Sequence, residues 1–172
     1  DVLSASRDDD KIAWYENLGG GAFGAQQVIT TATNGALSVY AMDLDGDGDA
    51  DVLSASITDS KIAFYENLGS GSFGAQQVIT TASFLATSVY ATDLDGDGDP
   101  DVLSASAGDH KIAFYENLGG GAFGAQQVIT TDARGASSVS ATDLDGDGDA
   151  DVLSASYFDG KIAWYENLGG GA

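Results

Sequence analysis

The chain has 172 residues, 27 of them Asp or Glu and 6 Lys or Arg, for a formal charge of −21 at pH 7; such a surface repels phosphate backbones and anionic bilayers, which excludes nucleic acid as an expected partner. With 43% hydrophobic residues it is too apolar for an acidic disordered tail. It has no cysteine for a disulfide or thiolate site, and it shows neither an apolar run of about 18 residues for membrane insertion nor a basic and apolar leader after Asp1.

Residues 1–50 recur at 51–100, at 101–150 and, truncated, at 151–172, and 36 of the 50 positions are identical wherever they are represented, so the chain is read as a single repeat array without linkers. In the second copy, residues 51–56 predict a strand, 58–60 a turn and 61–68 a second strand, making a hairpin. Residues 69–72 are Gly- and Ser-rich and break the chain, 76–81 predict a third strand, and 88–93 a fourth that runs into an acidic loop. No apolar pattern of helical spacing persists, and 24 glycines are spread over the connections, so no helix is expected. The expected fold is all-β, built from β-propeller blades of four antiparallel strands. A solenoid of stacked sheets competes, but the series Trp14, Phe64, Phe114 and Trp164 supplies one bulky aromatic per unit for packing between sheets, which favours the propeller.

The acidic loop has the sequence Asp43-Leu-Asp45-Gly-Asp47-Gly-Asp49-Ala-Asp51, and returns with Asp93, Asp95, Asp97, Asp99 and Asp101, then with Asp143, Asp145, Asp147, Asp149 and Asp151. Alternating carboxylates gather hard oxygens around one point, as a Ca2+ ion with 6–8 oxygen ligands requires. Without a cation, five Asp within nine residues repel one another. Gly48 allows the sharp turn that closes the site. The opening is similar to an EF-hand loop, but that motif needs a Glu at its twelfth position and flanking helices; here the twelfth residue is Ser54 and strands are expected on both sides.

The succession Ala91-Thr-Asp-Leu-Asp-Gly-Asp-Gly-Asp-Pro-Asp-Val-Leu, followed by Lys111-Ile-Ala-Phe-Tyr-Glu-Asn-Leu-Gly-Gly-Gly-Ala-Phe123-Gly124, resembles the FG-GAP or VCBS repeat of integrin α-subunit propellers and many secreted bacterial proteins. The resemblance covers the whole chain and implies a β-propeller, commonly seven-bladed, with calcium in the hairpin between the first two strands of a blade. It further implies that the side chains of Asp43, Asp45, Asp47 and Asp51 with the carbonyl of Asp49, and their equivalents in the next two copies, are the ligands. The Phe-Gly pair stands at Phe23-Gly24, Phe73-Gly74 and Phe123-Gly124, whereas Ser-Ala-Ser at residues 4–6 replaces Gly-Ala-Pro, so the VCBS-like branch fits better and integrin-type partners are not implied.

Of the 14 positions that differ among the copies, eight fall in two windows. One holds Arg7, Asp8 and Asp10, which become Ile57, Thr58 and Ser60, then Ala107, Gly108 and His110, then Tyr157, Phe158 and Gly160; the other holds residues 32–35 and 37 and their copies, including Phe84, Leu85 and Arg134. Connections of an up-and-down blade alternate between its edges, which places both windows opposite the calcium loops. Drift accounts for variable surface loops, yet apolar and aromatic groups at loop tips carry a solvation cost unless they touch something. The windows are therefore read as a binding face for a carbohydrate or protein.

Catalysis has no carrier here: there is no Cys, His110 lies in a variable turn, and no Ser is paired with a base. No enzyme activity is expected; a purely structural array, or the non-catalytic propeller part of a secreted enzyme, are the alternatives to recognition or adhesion. Lys11 and its copies follow an invariant Asp by two residues and mark a turn with a charge pair; Glu16-Asn17 ends a strand; Tyr15 and its copies are packing residues. With strands labelled A to D and calcium between A and B, the chain reads BCD, ABCD, ABCD, ABC, so a ring needs another copy or a longer parent chain, and Asp1 resembles the last ligand of a further loop. High calcium outside cells makes secretion the expected location.

Overall fold

The structure is a computed structural model that describes residues 1–170; residues 171 and 172 of the partial fourth repeat lie outside the described residues. The described residues form strands and turns with no helix. The first sheet holds β1 (Val2–Ser6), β2 (Lys11–Tyr15) and β5 (Gln27–Thr30), with a small hairpin of β3 (Asn17–Gly19) and β4 (Ala22–Phe23) inserted. The second consists of β6 (Ala36–Met42), β7 (Asp51–Ser56), β8 (Lys61–Tyr65) and β9 (Gln77–Thr80). The third repeats it with β10 (Ala86–Thr92), β11 (Asp101–Ser106), β12 (Lys111–Tyr115) and β13 (Gln127–Thr130). The fourth has β14 (Ala136–Thr142), β15 (Asp151–Ser156) and β16 (Lys161–Tyr165). Each sheet is an antiparallel meander, and the division into three, four, four and three strands is the one the repeat phase predicts. The four sheets do not close into a ring.

The period-2 alternation of the strands explains how these sheets stack. In β7 and β8, Leu53, Ala55, Ile62 and Phe64 turn to the third sheet, where they meet Ala86, Val89, Ala91, Val102 and Tyr115. The alternate residues Val52 and Tyr65 turn the other way and join Ile12 of the first sheet. A further core of the same kind lies between the third and fourth sheets, with Leu103, Ile112 and Phe114 against Val139 and Val152. The molecule thus has one apolar core per sheet junction, which is why every residue of β7 and β11 is buried and why a single unit cannot fold alone.

The second strand stops at Tyr65 and not at residue 68 as the sequence pattern suggests. The Asn67 N–H leaves the ladder and donates to the Asp51 carboxylate at 2.8 Å, and the chain folds back so that Asn67 bridges Phe73. This bend sets the Phe-Gly element against the neighbouring sheet: Phe123 stands edge-on to Phe64 at 5.7 Å. Gly71, at φ +76°, lies under Trp14, where an added Cβ would come within 2.7 Å of the indole. The expected inter-sheet aromatics are thus in place at these two junctions, whereas Trp164 is half exposed.

Candidate functional site

Each acidic loop connects the first two strands of a sheet: residues 43–51 join β6 to β7, 93–101 join β10 to β11, and 143–151 join β14 to β15. Strand pairing carries Asp51 opposite Met42, so the two ends of the first loop meet. In the loop the carboxylates turn inward because backbone N–H groups hold them from behind. Asp43 accepts from Gly46 (2.8 Å) and Gly48 (2.9 Å), Asp45 from Asp47 (3.1 Å), and Asp51 from Leu44 (2.9 Å) and Asn67 (2.8 Å). Gly48 adopts φ +95°, the left-handed turn its position requires. As a result Asp43, Asp45 and Asp51 each bring a carboxylate oxygen within 4.8 Å of one another, as do Asp93, Asp95 and Asp101, and Asp143, Asp145 and Asp151. Asp47, Asp97 and Asp147, and Asp49, Asp99 and Asp149, lie outside these trios; Asp47 accepts from the Asp49 N–H at 2.8 Å.

The electrostatics of these loops suit a hard cation. Among the described residues every ion pair of a Lys goes to an Asp outside the acidic loops: Lys11, Lys61, Lys111 and Lys161 pair with Asp9, Asp59, Asp109 and Asp159 at 2.8–3.1 Å, the turn pairs read from the sequence, and Lys161 also reaches Asp132. The loop carboxylates thus face one another without a protein cation. Burial raises the Asp51 carboxyl, against the opposing pull of the Asn67 and Leu44 N–H groups, and pushes Asp101 up to about 6. The donor set fits calcium: it is all oxygen, with no sulfur or imidazole, and three carboxylates offer up to about six ligand atoms. Calcium held by these Asp side chains would supply the missing positive charge and tie each loop to its strands.

The two variable windows lie at the opposite ends of the strands, and the structure joins them. Within the second sheet Ile57 N–H donates to Gly35 and Thr58 N–H to Asn34; in the third, Ala107 and Gly108 donate to Leu85 and Phe84; in the fourth, Tyr157 and Phe158 donate to Gly135 and Arg134, all at 3.0–3.1 Å. Polar side chains link one sheet to the next, as Asp10 accepts from Gly35 N–H (2.8 Å), Ser60 from Leu85 N–H (3.2 Å) and, through Nδ1, His110 from Gly135 N–H (3.1 Å). Asp10, Ser60 and His110 therefore each use one side-chain polar atom within the fold. Arg7, Asp8, Thr58, Phe84, Arg134, Tyr157 and Phe158 are exposed, while Ile57 and Leu85 are half-buried.

Bulk is complementary between the windows. Phe84 and Leu85 oppose Ala107 and Gly108, and a Cβ on Gly108 would fall 2.4 Å from the Phe84 ring; Phe158 opposes Gly135, where a Cβ would fall 2.5 Å from that ring. Tyr157, the most exposed aromatic at 79%, stands edge-on to Phe158 at 5.4 Å.

One group carries more than the strand-ending role that its sequence suggests. Asn117 and Asn167 are buried, and each extends its side-chain amide to the acidic loop of the preceding sheet. The signal in the sequence is only that this Asn recurs in all four copies.

A family model described as an FG-GAP-like repeat matches three times, over residues 1–54, 43–104 and 93–154. No curated protein matches the chain. Among solved structures, a lectin from Agrocybe aegerita, described in terms of its specific recognition of non-reducing terminal N-acetylglucosamine, is similar over 99% of this chain and 50% of its own, with a TM-score of 0.65 and 20% identity. The Tc holotoxin pore of Photorhabdus luminescens is similar over 95% of this chain and 8% of its own, with a TM-score of 0.50 and 20% identity. The chain therefore spans half of the lectin and a small part of the toxin, and the likeness is one of fold.

Proposed function

The chain belongs to the FG-GAP-like repeat family, and from that premise we propose that it forms a calcium-stabilised β-propeller, secreted, that recognises a carbohydrate or protein ligand without catalysing a reaction. Calcium, held in each acidic loop by the Asp trio, acts by fixing the strand ends. The recognition surface is the variable edge.

The observation that carries this reading is the gathering of Phe84, Tyr157 and Phe158, exposed by 56%, 79% and 66%, on the edge where the copies differ, above a framework in which they are identical. Exposed aromatic rings on a rigid support suit the apolar face of a sugar ring or a protein surface. The lectin of the same fold adds weight to the carbohydrate alternative.

A second reading, a purely structural array, is favoured by the complementary bulk of the windows, since packing alone would then select part of the variation. The two readings separate on a glycan array probed with the calcium-loaded chain and with a copy carrying Phe84→Ser, Tyr157→Ser and Phe158→Ser. Binding that the substituted copy loses is the expected result; equal binding by both would move recognition off this edge, and no binding by either would leave a protein ligand or the structural array.

A further inference from the structure

We propose that Asn117 and Asn167 couple the acidic loops to one another, so that a cation bound in one loop raises the affinity of the next. The inference rests on the calcium reading above and assigns to these two residues a positioning role for it.

An unbroken series of hydrogen bonds supports it. The Asn117 side-chain amide donates to the Leu44 carbonyl in the loop of the second sheet at 2.8 Å and to the Pro100 carbonyl in its own loop at 3.1 Å. Its backbone N–H donates to the Asp101 carboxylate at 2.8 Å. The other face of the Leu44 residue is tied as well, since its N–H donates to Asp51. One residue on each side therefore separates the buried carboxylates of two different loops. Asn167 repeats the arrangement with Leu94 at 2.7 Å, Ala150 at 3.2 Å and Asp151 at 2.8 Å. The series runs Asp51, Leu44, Asn117, Asp101, Leu94, Asn167, Asp151, and its three carboxylates are each at most 1% exposed.

The geometry makes the connection mechanical. Leu44 lies between Asp43 and Asp45, two members of the trio, and its carbonyl belongs to the planar peptide that leads into Asp45. Drawing the Asp45 carboxylate to a cation fixes that peptide plane and with it the acceptor of Asn117. An Asn117 held at its side chain presents its N–H to Asp101 in one orientation, so the next loop loses less freedom when it binds. The Asn67 amide donates to the Ala50 carbonyl of its own loop at 3.0 Å, as the Asn117 amide does to Pro100.

Calcium titration of the full chain, followed by the amide resonances of Gly46, Gly96 and Gly146, reads each loop separately. Asp95→Asn removes one charge from the middle site, so that it fills after the outer two; coupling predicts that the affinities of loops 43–51 and 143–151 then fall about fivefold or more. In an Asn117→Ala background, Asp95→Asn should no longer affect loop 43–51 but should still affect loop 143–151 through Asn167. A structural role alone would not produce that asymmetry. Raising the salt from about 0.15 M to about 1 M shortens screening from about 8 Å to about 3 Å, so a fall that survives in the parent chain is not a long-range field effect; this arm stands even if Asn117→Ala does not fold. Unchanged outer affinities after Asp95→Asn, or a fall at loop 43–51 that persists in Asn117→Ala, would overturn the coupling. A parent chain whose loop amides ignore calcium would overturn the calcium reading itself, a result distinct from three independent sites.

Discussion

The two edges of the sheets are opposites. On the acidic edge the sequence repeats and the surroundings differ: loops 93–101 and 143–151 vary only at residue 100 against 150, yet Leu94 is 5% exposed and Leu144 51%. Asp101 is pushed up to about 6 by burial, whereas the Asn167 N–H holds the Asp151 carboxyl below its ordinary value. On the variable edge the sequence differs and the backbone contacts repeat, with the same pair of N–H to carbonyl bonds in three successive sheets. A repeat protein thus sets the energetics of identical loops through their neighbours, and keeps a constant frame beneath unlike loops through its main chain.

The sharpest way to test the acidic edge is to remove calcium. If each trio is filled to about a hundred times its dissociation constant, each adds about 2.7 kcal/mol, and three such sites at about 2–4 °C per kcal/mol amount to a fall in Tm of roughly 20 °C on adding EDTA. Differential scanning calorimetry checks this, and a melt indifferent to EDTA removes the metal reading.

Strand order and repeat phase were legible because apolar alternation, glycine turns and a 50-residue period are local signals. So was the gathering of variation on one edge, which follows from strand direction alone. The acidic trios were legible only in part: the pattern points to four carboxylates and the Asp49 carbonyl in each loop, whereas which three carboxylates converge depends on the N–H groups behind them, Leu44 and Asn67 for Asp51. The difference between Asp101 and Asp151 and the reach of Asn117 to Leu44, 73 residues away, belong to contacts between sheets, and no pattern within one copy contains them. The Lys11, Lys61, Lys111 and Lys161 pairs were readable because both partners sit in one turn.

A smaller effect should separate the two acidic loops by pH. The folded Asp101 carboxyl binds its proton more tightly than the unfolded one, so in chelator its contribution to stability is greatest in acid and is lost as pH rises from about 4 through about 6, by at most about 3 kcal/mol. Asp151 has the opposite sign, because its lowered carboxyl favours the folded state once ionised. In chelator at pH 7, Asp101→Asn should therefore raise the urea midpoint and Asp151→Asn should lower it. With calcium both substitutions should be harmful, since Asn offers the ion one neutral oxygen where the ionised carboxylate offers two oxygens and a charge. A shift of the same sign for both variants in chelator would mean that enclosure does not distinguish the loops.

The smallest effect concerns the variable edge and asks whether its unlike loops are independent. A Cβ on Gly108 would meet the Phe84 ring at 2.4 Å and Leu85 at 3.0 Å, so Gly108→Ala should cost about 1–3 kcal/mol through crowding. Phe84→Ser removes the ring, and in that background the same Ala should cost little; a double-mutant cycle by urea unfolding measures the difference. A large coupling would make residues 84–85 and 107–108 one packed unit, selected together for fit, and would leave the outward ring of Tyr157 as the purer mark of a binding surface. If Gly108→Ala costs the same with and without Phe84, the windows vary independently of packing, and the bulk at Phe84 and Leu85 then needs a partner outside the chain to account for it.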